Sequence, residues 1–191
     1  MIGKQAKTLT EQHIGELLAY AARSRYPERN RVIILFSVKA GLRAGEIAKS
    51  TWEMLLAADG SIGKTLELHD SAAKKKSGRR IPLHSDLRVA LKELLIWSTP
   101  EGPIVRSERG SRMTPGSIVN WFAKAYRHLN LVGCSSHSGR RTFITRAARS
   151  IHRAGGSLRD VQMLAGHRSI ETTQRYIDGD TDAQRKLVAL I

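Results

Sequence analysis

Cysteine is nearly absent from this sequence, which has one, Cys134, among 191 residues. A single cysteine excludes an intramolecular disulfide and a zinc site built from several cysteines. Long apolar runs are also missing: runs such as residues 32–36 are far shorter than the roughly 18 to 20 residues of a membrane-spanning helix. The N-terminus has no apolar signal core. The sequence therefore predicts no membrane association, no export and a reduced, cytoplasmic location.

Acidic residues are scarce relative to basic ones. The chain has 17 Asp and Glu against 32 Lys and Arg, which gives a formal net charge of +15 and a pI near 10.6. Such a surplus favours a polyanionic partner, most often nucleic acid. Composition alone also allows a ribosomal-type RNA binder or a merely solubilising surface. Hydrophobic residues make up 41% of the chain, which favours a folded core over disorder.

The hydrophobic pattern predicts an α+β fold that is mainly helical, in a single domain spanning residues 1–191. Helical periodicity or buried helical runs cover residues 11–22, 31–40, 42–52, 85–98, 115–129, 138–153 and the region from 158 onward. Between the third and fourth helices, residues 65–69 and 80–83 favour a small antiparallel sheet of two or three strands. We find no internal repeat and no interdomain linker in the sequence.

The segment LAGHRSIETTQRY, residues 164–176, has the strongest local pattern. Gly166 is typical of a helix C-terminal cap, because only glycine enters the left-handed region without steric cost. Ser169 is typical of the N-cap of a following helix, which would carry Tyr176. This arrangement would bring the imidazole of His167 and the phenol of Tyr176 near one point.

Upstream residues could supply the positive charge that a phenol needs to attack a phosphate. His137 and Arg140 are three apart at a helix start and would share a face. Arg140 and Arg43 could neutralise charge on phosphate oxygens, since guanidinium groups match them bidentately. A lysine from residues 74–76 could protonate the leaving oxygen. A phenol ionises near pH 10, so Tyr176 needs cationic neighbours to act as a nucleophile.

Each of these residues also has an ordinary interpretation. Tyr176 could be a packing tyrosine, and His167 a loop histidine. Arg43 could pair with Glu46 one turn further on, which makes Glu46 a structural partner rather than a catalyst. His137 and His167 lack an accompanying pattern of acids, so the sequence predicts no metal site. The joint occurrence of the residues, in order, in a strongly basic chain, favours the chemical interpretation.

Four segments resemble motifs of the tyrosine recombinases, the phage-type integrases. They are AGLRAGEI at residues 40–47, KKKSGRRIPL at 74–83, HSGRRTF at 137–143 and LAGHRSIETTQRYI at 164–177. The resemblance implies a tyrosine-recombinase catalytic domain. Such a domain cuts and rejoins DNA through a covalent 3′-phosphotyrosine, without metal or nucleotide cofactor, in the integration, excision or inversion of mobile elements.

The resemblance assigns roles residue by residue. It implies six catalytic residues: Tyr176 as nucleophile, Arg43 and Arg140 as phosphate ligands, Lys74 as the acid for the leaving 5′ oxygen, His137 as an aid to proton transfer from the tyrosine, and His167 as a hydrogen-bonding partner of the phosphate. Glu46 is expected to support them, and the adjacent Lys75 competes with Lys74 for the role of acid. Six further cationic residues are expected to contact DNA: Lys75, Lys76, Arg79, Arg106, Arg112 and Arg141.

The implied partners are double-stranded DNA and three further copies of the chain, in a homotetramer that passes through a Holliday junction. An accessory DNA-bending protein is a further candidate partner, and the implied location is the nucleoid. The apolar tail, residues 179–191, is a candidate for docking on a neighbouring protomer. Two departures from the family pattern are Ser138-Gly139, where an acid and a leucine are common, and Arg141, where histidine is common. The family's N-terminal DNA-clamping domain has no counterpart here, so we expect a compact member or an excised catalytic domain.

Two other functions fit parts of the sequence. A type IB topoisomerase has a chemically similar site and would relax supercoils without paired DNA sites. A non-catalytic DNA-binding regulator would use residues 157–176 as a helix-turn-helix, but this interpretation leaves Arg43, Lys74 and His137 unexplained. A covalent protein–DNA adduct would separate the regulator from both enzymes.

Overall fold

The structure is a computed structural model, and it describes residues 5–73, 78–176, 188–189 and 191. These residues form the predicted arrangement, mainly helical with a small antiparallel sheet. The helices are α1 (Glu11–Ala22), α2 (Pro27–Lys39), α3 (Ala44–Lys49), α4 (Ser85–Ile96), α5 (Pro115–His128), α6 (Ser138–Ser150), α7 (Leu158–Ala165) and α8 (Ile170–Gln174). Strands β1 (Thr65–Leu68) and β2 (Arg79–Pro82) form the sheet, and 3₁₀ turns occupy Trp52–Met54 and Ile151–Ala154.

The side-chain caps that the sequence predicts begin α1, α5 and α7. The hydroxyl of Thr10 accepts the backbone N–H of His13 at the start of α1. Thr114 caps α5, whose first residue is a proline that needs no hydrogen-bond acceptor. Ser157 and Asp160 form a reciprocal capping box at the start of α7. Each cap satisfies backbone donors that a helix start leaves unpaired.

Several predicted boundaries are wrong, for local reasons. Helix α2 begins at Pro27, four residues before the predicted start, because a proline and an acid suit the first turn of a helix. Helix α3 begins at Ala44 rather than at residue 42, because the Glu46 carboxylate accepts the backbone N–H of Arg43 and makes Arg43 the N-cap. Helix α6 ends at Ser150, and the chain continues as a 3₁₀ turn.

Helix α2 is the centre of the main core. Every residue from 32 to 38 is buried, and α1, α4 and α6 pack against this helix. Helix α5 packs on α1 and α3. In the sheet, Thr65 pairs with Pro82 and Leu68 with Arg79, so that Leu66, Leu68 and Ile81 are buried in the same core.

A second, smaller cluster lies between α6 and α7. Four buried residues form it: Ile144, Ala148, Val161 and Ala165. Tyr176 is half-buried and packs against this cluster. Helix α6 contacts both α2 and α7, so it joins the small cluster to the main core.

Some predictions fall outside the described residues. They concern Lys74, Lys75 and Lys76, and nearly all of the tail. Among the residues that are described, no helix is both long enough and apolar enough to cross a membrane.

Candidate active site

Glu46 on α3 is the centre of a buried ion cluster. Its side chain is 2% exposed and accepts hydrogen bonds from the Arg43 guanidinium at 2.9 Å and from the Arg79 guanidinium at 3.1 and 3.2 Å. Nη1 of Arg140 lies 3.9 Å from the same carboxylate. Burial raises the pKa of Glu46, but the hydrogen bonds and charges of Arg79 and Arg43 outweigh it, and the pKa lies below its usual value. Three guanidinium groups around one carboxylate leave an excess of two positive charges.

Arg140 is held by the C-terminal ends of two helices. Its side chain is 3% exposed. Nη1 donates to the carbonyl of Gly41, just after α2, and Nη2 donates to the carbonyl of Ala165, at the end of α7, each at 2.6 Å. Carbonyl groups at helix C-termini carry partial negative charge and favour a cation. Burial and the charge of Arg43 lower the pKa of Arg140 to about 10, so the group stays positively charged at neutral pH.

Two glycines make this arrangement sterically possible. Gly41 ends α2 with a φ of 65°, and a Cβ there would lie 2.4 Å from Cδ1 of Phe143. Gly166 ends α7 with a φ of 62°, as predicted, and a Cβ there would lie 2.8 Å from Nη1 of Arg79. Nε of Arg79 donates to the carbonyl of Leu164 at 2.8 Å. Positive φ and close neighbours both disfavour any larger residue at these positions.

His167 is held in one tautomer by its two partners. Its Nε2 lies 3.1 Å from Nη2 of Arg140, and its Nδ1 lies 3.0 Å from the hydroxyl oxygen of Thr173. A guanidinium only donates hydrogen bonds, so Nε2 accepts, and Nδ1 carries the proton that it donates to Thr173. Burial, followed by the charges of Arg140 and Arg43, lowers the pKa of His167 to about 4. The ring is therefore neutral at pH 7.

Tyr176 lies beside this histidine. The two rings stack with centroids 5.5 Å apart and planes inclined by 23°. Tyr176 and Arg140 line one cavity of about 380 Å³. His137 is exposed at the start of α6 and lines the same cavity, as its spacing of three from Arg140 predicts. An anion bound by Arg140 in this cavity would be in the same space as a phenol and an imidazole.

The N-terminal segment closes one wall of the cavity. Gln5 and Ala6 line it, and Nη1 of Arg141 donates to the carbonyl of Ala6 at 3.0 Å. Arg141, predicted to contact DNA, thus binds the protein's own backbone. The adjacent Gly139 lies so close to Ser37 of α2 that a Cβ would be 2.2 Å from the Ser37 hydroxyl oxygen. Since a leucine would not fit there, the sequence departure at Gly139 matches a tight contact between α6 and α2.

Other predicted DNA contacts lie elsewhere. Arg106 and Arg112 pair as an isolated β-bridge. The carbonyl of Arg106 accepts from Arg29 in the first turn of α2, whereas Arg140 meets Gly41 beyond the last turn. At 1.5 Å per residue, the length of α2 separates the bridge from the candidate site by roughly 18 Å.

Three residues with a part in the site were missed or assigned differently. Arg79, predicted to contact DNA, has a side chain that is 6% exposed and bonded to Glu46. Strand alternation is the signal that could have placed it inside, because Arg79 shares a strand face with the buried Ile81. Thr173, fully buried in α8, was overlooked. The prediction that this helix carries Tyr176 is wrong, because α8 ends at Gln174 and Tyr176 follows in a turn, where its N–H donates to the carbonyl of Thr173. Gln162 was also overlooked; its amide donates to the backbone carbonyl of His167 at 3.0 Å.

The part of the chain that the structure describes contains no group of three or more His, Cys, Asp or Glu side chains arranged to hold a metal ion. The ion cluster around Glu46 has a net positive charge, which suits an anionic ligand rather than a metal ion.

Comparison with known proteins identifies similar sequences over most of the chain. A family model described as the phage integrase family matches residues 7–182. Tyrosine recombinase XerC of Mesorhizobium japonicum is 30% identical over 168 residues, which cover 80% of this chain and 47% of the relative. Tyrosine recombinase XerC of Pseudomonas fluorescens is 28% identical over 176 residues, covering 89% of this chain and 55% of the relative. The chain thus spans about half the length of these relatives.

Solved structures share the fold. The crystal structure of XerA recombinase matches 100% of this chain and 65% of its own, with a TM-score of 0.75 and 20% identity. XerH site-specific recombinase, in a post-cleavage complex with palindromic difH substrate, matches with a TM-score of 0.74 and 19% identity. That match covers 95% of this chain and 52% of XerH.

Proposed function

The chain belongs to the phage integrase family, and from this premise we propose that it is the catalytic domain of a site-specific tyrosine recombinase that acts on double-stranded DNA. One observation carries the proposal. Arg43, Arg140, His167 and Tyr176, which match the family motifs in three separate segments of the chain, are joined in one site by hydrogen bonds, an ion cluster and ring stacking. The similar XerC proteins are named tyrosine recombinases, and XerH was captured with its DNA after cleavage.

In the proposed reaction, the hydroxyl oxygen of Tyr176 attacks the phosphorus of a DNA phosphodiester. The bond from phosphorus to the 5′ oxygen breaks, a 3′-phosphotyrosine forms, and the leaving oxygen takes a proton to become a 5′-hydroxyl. Arg43 and Arg140 stabilise the negative charge that develops on the phosphate oxygens. The ion cluster around Glu46 suits this role because it carries an excess of two positive charges. Attack by the 5′-hydroxyl of a partner strand reverses the step and conserves the bond energy.

His167 changes its hydrogen bonding when phosphate binds. In the free protein Nε2 accepts from Arg140, so it has no proton to donate. A bound phosphate places negative charge beside the ring and raises the pKa of His167. The protonated ring then donates to the phosphate through Nε2, while Nδ1 keeps its hydrogen bond to Thr173. Thr173 is a suitable acceptor in both states.

The remaining roles follow the family resemblance. His137, in the cavity with Tyr176, receives the phenol proton, and Lys74 protonates the leaving oxygen. We include in the proposal a homotetramer on DNA, an accessory DNA-bending protein, a docking role for the tail, a cytoplasmic location at the nucleoid and a reaction without metal or cofactor.

A covalent adduct tests the proposed chemistry. The protein is incubated, without divalent metal, with a nicked suicide substrate that carries the genomic DNA flanking its gene, and products are separated on a denaturing gel. We expect an adduct that is lost in Tyr176→Phe and retained in Tyr20→Phe, a control that removes the hydroxyl of a half-buried tyrosine on α1.

Each other outcome would point elsewhere. An adduct that persists in Tyr176→Phe would show that a different nucleophile acts. Tight DNA binding without an adduct would favour the non-catalytic regulator. An adduct together with relaxation of plasmids that lack paired sites would favour a topoisomerase.

A further inference from the structure

A second cavity adjoins the candidate site at His167. Its volume is about 450 Å³, and His167, Gly166 and Arg79 belong to its lining as well as to the site described above. Three more arginines line it: Arg80, Arg159 and Arg168. Among the described lining residues there is no Asp or Glu, although Arg80 forms an ion pair with Glu67 at 2.9 Å. The cavity is therefore strongly cationic.

We propose that this cavity binds the backbone phosphate next to the one that is cleaved, with Arg159 and Arg80 as its ligands. The inference rests on the proposed function, because it needs DNA in the adjoining site. A strand whose phosphate is held by Arg140 must continue past His167 or past Tyr176, and a basic concavity begins at His167. The proposed surface therefore extends the site along the DNA strand.

A chain of hydrogen bonds connects Arg159 in the second cavity to His167 of the candidate site. Nη1 of Arg159 donates to the side-chain oxygen of Gln162 at 3.0 Å, and the amide nitrogen of Gln162 donates to the backbone carbonyl of His167 at 3.0 Å. Gln162 is 4% exposed, so this link is shielded from water. It fixes Arg159 relative to the histidine of the proposed active site.

The other lining groups match a sugar–phosphate backbone better than an isolated anion. Met163 is 61% exposed and lies four residues after Arg159, on the same face of α7. An exposed thioether adds nothing to the binding of a small inorganic anion, but it can cover the apolar carbon atoms of a deoxyribose. A cationic group beside an apolar one thus corresponds to a phosphate beside its sugar.

A third cavity provides a contrast within the same molecule. It has a volume of about 540 Å³, lies between α1 and α5, and is lined by Arg23 and Lys124 but also by Glu16. It contains none of the residues of the candidate site. Arg23 is exposed, so Arg23→Gln removes the same charge as Arg159→Gln without touching the proposed surface.

The salt dependence of DNA binding tests the proposal. Affinity for a 30-base-pair duplex is measured over a range of salt concentrations for the parent, Arg159→Gln, Arg80→Gln and Arg23→Gln proteins. The logarithm of the DNA-binding constant falls as the logarithm of the salt concentration rises, and each lost phosphate contact should make this slope less steep by about 0.9. We expect that decrease in the Arg159 and Arg80 variants, an unchanged slope in Arg23→Gln, and a restored slope in Arg159→Lys. Equal slopes in Arg159→Gln, Arg80→Gln and Arg23→Gln would overturn the inference.

A modified substrate locates the contact. The nicked substrate is prepared with one uncharged methylphosphonate at each phosphate flanking the cleavage point. The parent should lose affinity at one flanking position, and Arg159→Gln should lose less there because only Arg80 still contacts that phosphate, whereas Arg23→Gln should lose as much as the parent. Parallel losses in all three proteins would overturn the assignment. Adduct formation by the parent reports separately on the proposed function, so an adduct with parallel losses overturns this inference alone.

Discussion

The binding half and the nucleophile half of the proposed site are held in different ways. Glu46 and Arg140 are almost fully buried, and α3 and α6 anchor them against the main core. Tyr176 is only half-buried and packs on a cluster of four buried residues. Positive charge that is fixed before the substrate arrives does not need to reorganise during the reaction, which favours catalysis. The binding half should therefore depend on the stability of the whole fold, and the nucleophile half on local packing.

The largest expected effect follows from removing the charge at the centre of the binding half. In Glu46→Gln, three guanidinium groups lose their shared counter-charge, and two of them are buried. Breaking a buried ion pair on one side typically costs about 3–5 kcal/mol of unfolding free energy. Urea unfolding of the variant and the parent would measure the loss.

A matched change at the surface sharpens this prediction. Glu93 pairs with Arg31, but both side chains are partly exposed. Exposed pairs contribute about 0–1 kcal/mol, so Glu93→Gln should be nearly neutral. Similar losses in the two variants would mean that the cluster around Glu46 does not depend on its charge.

An intermediate effect concerns His167, where the two halves meet. Its pKa is about 4 in the folded protein, below the ordinary value of roughly 6.5 expected for the unfolded chain. Between these values the unfolded chain binds a proton that the folded protein does not, so the unfolding free energy falls as the pH falls through this window. Solvent screens the half-buried ring, so the fall should be smaller than the loss in Glu46→Gln. Urea unfolding at pH 7 and pH 5 would measure it.

Substitution of the histidine isolates its part in this dependence. His167→Gln should reduce the difference in stability between pH 7 and pH 5. The pKa of Glu46 is also lowered, but its contribution to stability is present above its unfolded value and is lost only at lower pH. An unchanged pH dependence in His167→Gln would contradict the lowered pKa of His167.

Local features of the fold could be predicted from the sequence, because their causes lie within a few residues. The cap at Thr10, the left-handed Gly166 and the pair formed by Arg43 and Glu46 are of this kind. The wider ion cluster could not be predicted, since Arg79 and Arg140 reach Glu46 only when the strand and two helices pack together. Hydrophobic periodicity locates the elements, but it does not specify which buried polar groups will meet.

The same limit applies to the six predicted DNA contacts, which stay predictions. The charge of a basic residue gives no information about where its side chain lies after folding. Arg141 folds onto the carbonyl of Ala6, and Arg106 and Arg112 lie near the far end of α2. Arg159, the main ligand of the proposed second cavity, was not singled out because its link to His167 passes through Gln162.

The smallest expected effect on stability comes from the nucleophile half. Thr173→Val keeps the shape of the side chain but removes the acceptor for Nδ1–H of His167. Removing one partner of a hydrogen bond costs about 1–3 kcal/mol when the remaining donor is buried, and His167 is only half-buried, so the unfolding free energy should fall by an amount near the lower end of that range. The same energy, if it is lost at the transition state, corresponds to a fall of up to about tenfold in the rate of adduct formation.

Rescue by serine distinguishes orientation of the ring from packing. Thr173→Ser keeps the hydroxyl and loses a methyl group, so it should retain the adduct rate although it leaves a small gap beside α8. If Thr173 acts through His167, the valine substitution should also have little further effect in a His167→Gln background, because the ring that it orients is already gone. A serine variant as slow as the valine variant, or full additivity in the double variant, would assign Thr173 to packing alone. In that case the nucleophile half would depend on the small cluster and not on the hydrogen bond to the histidine.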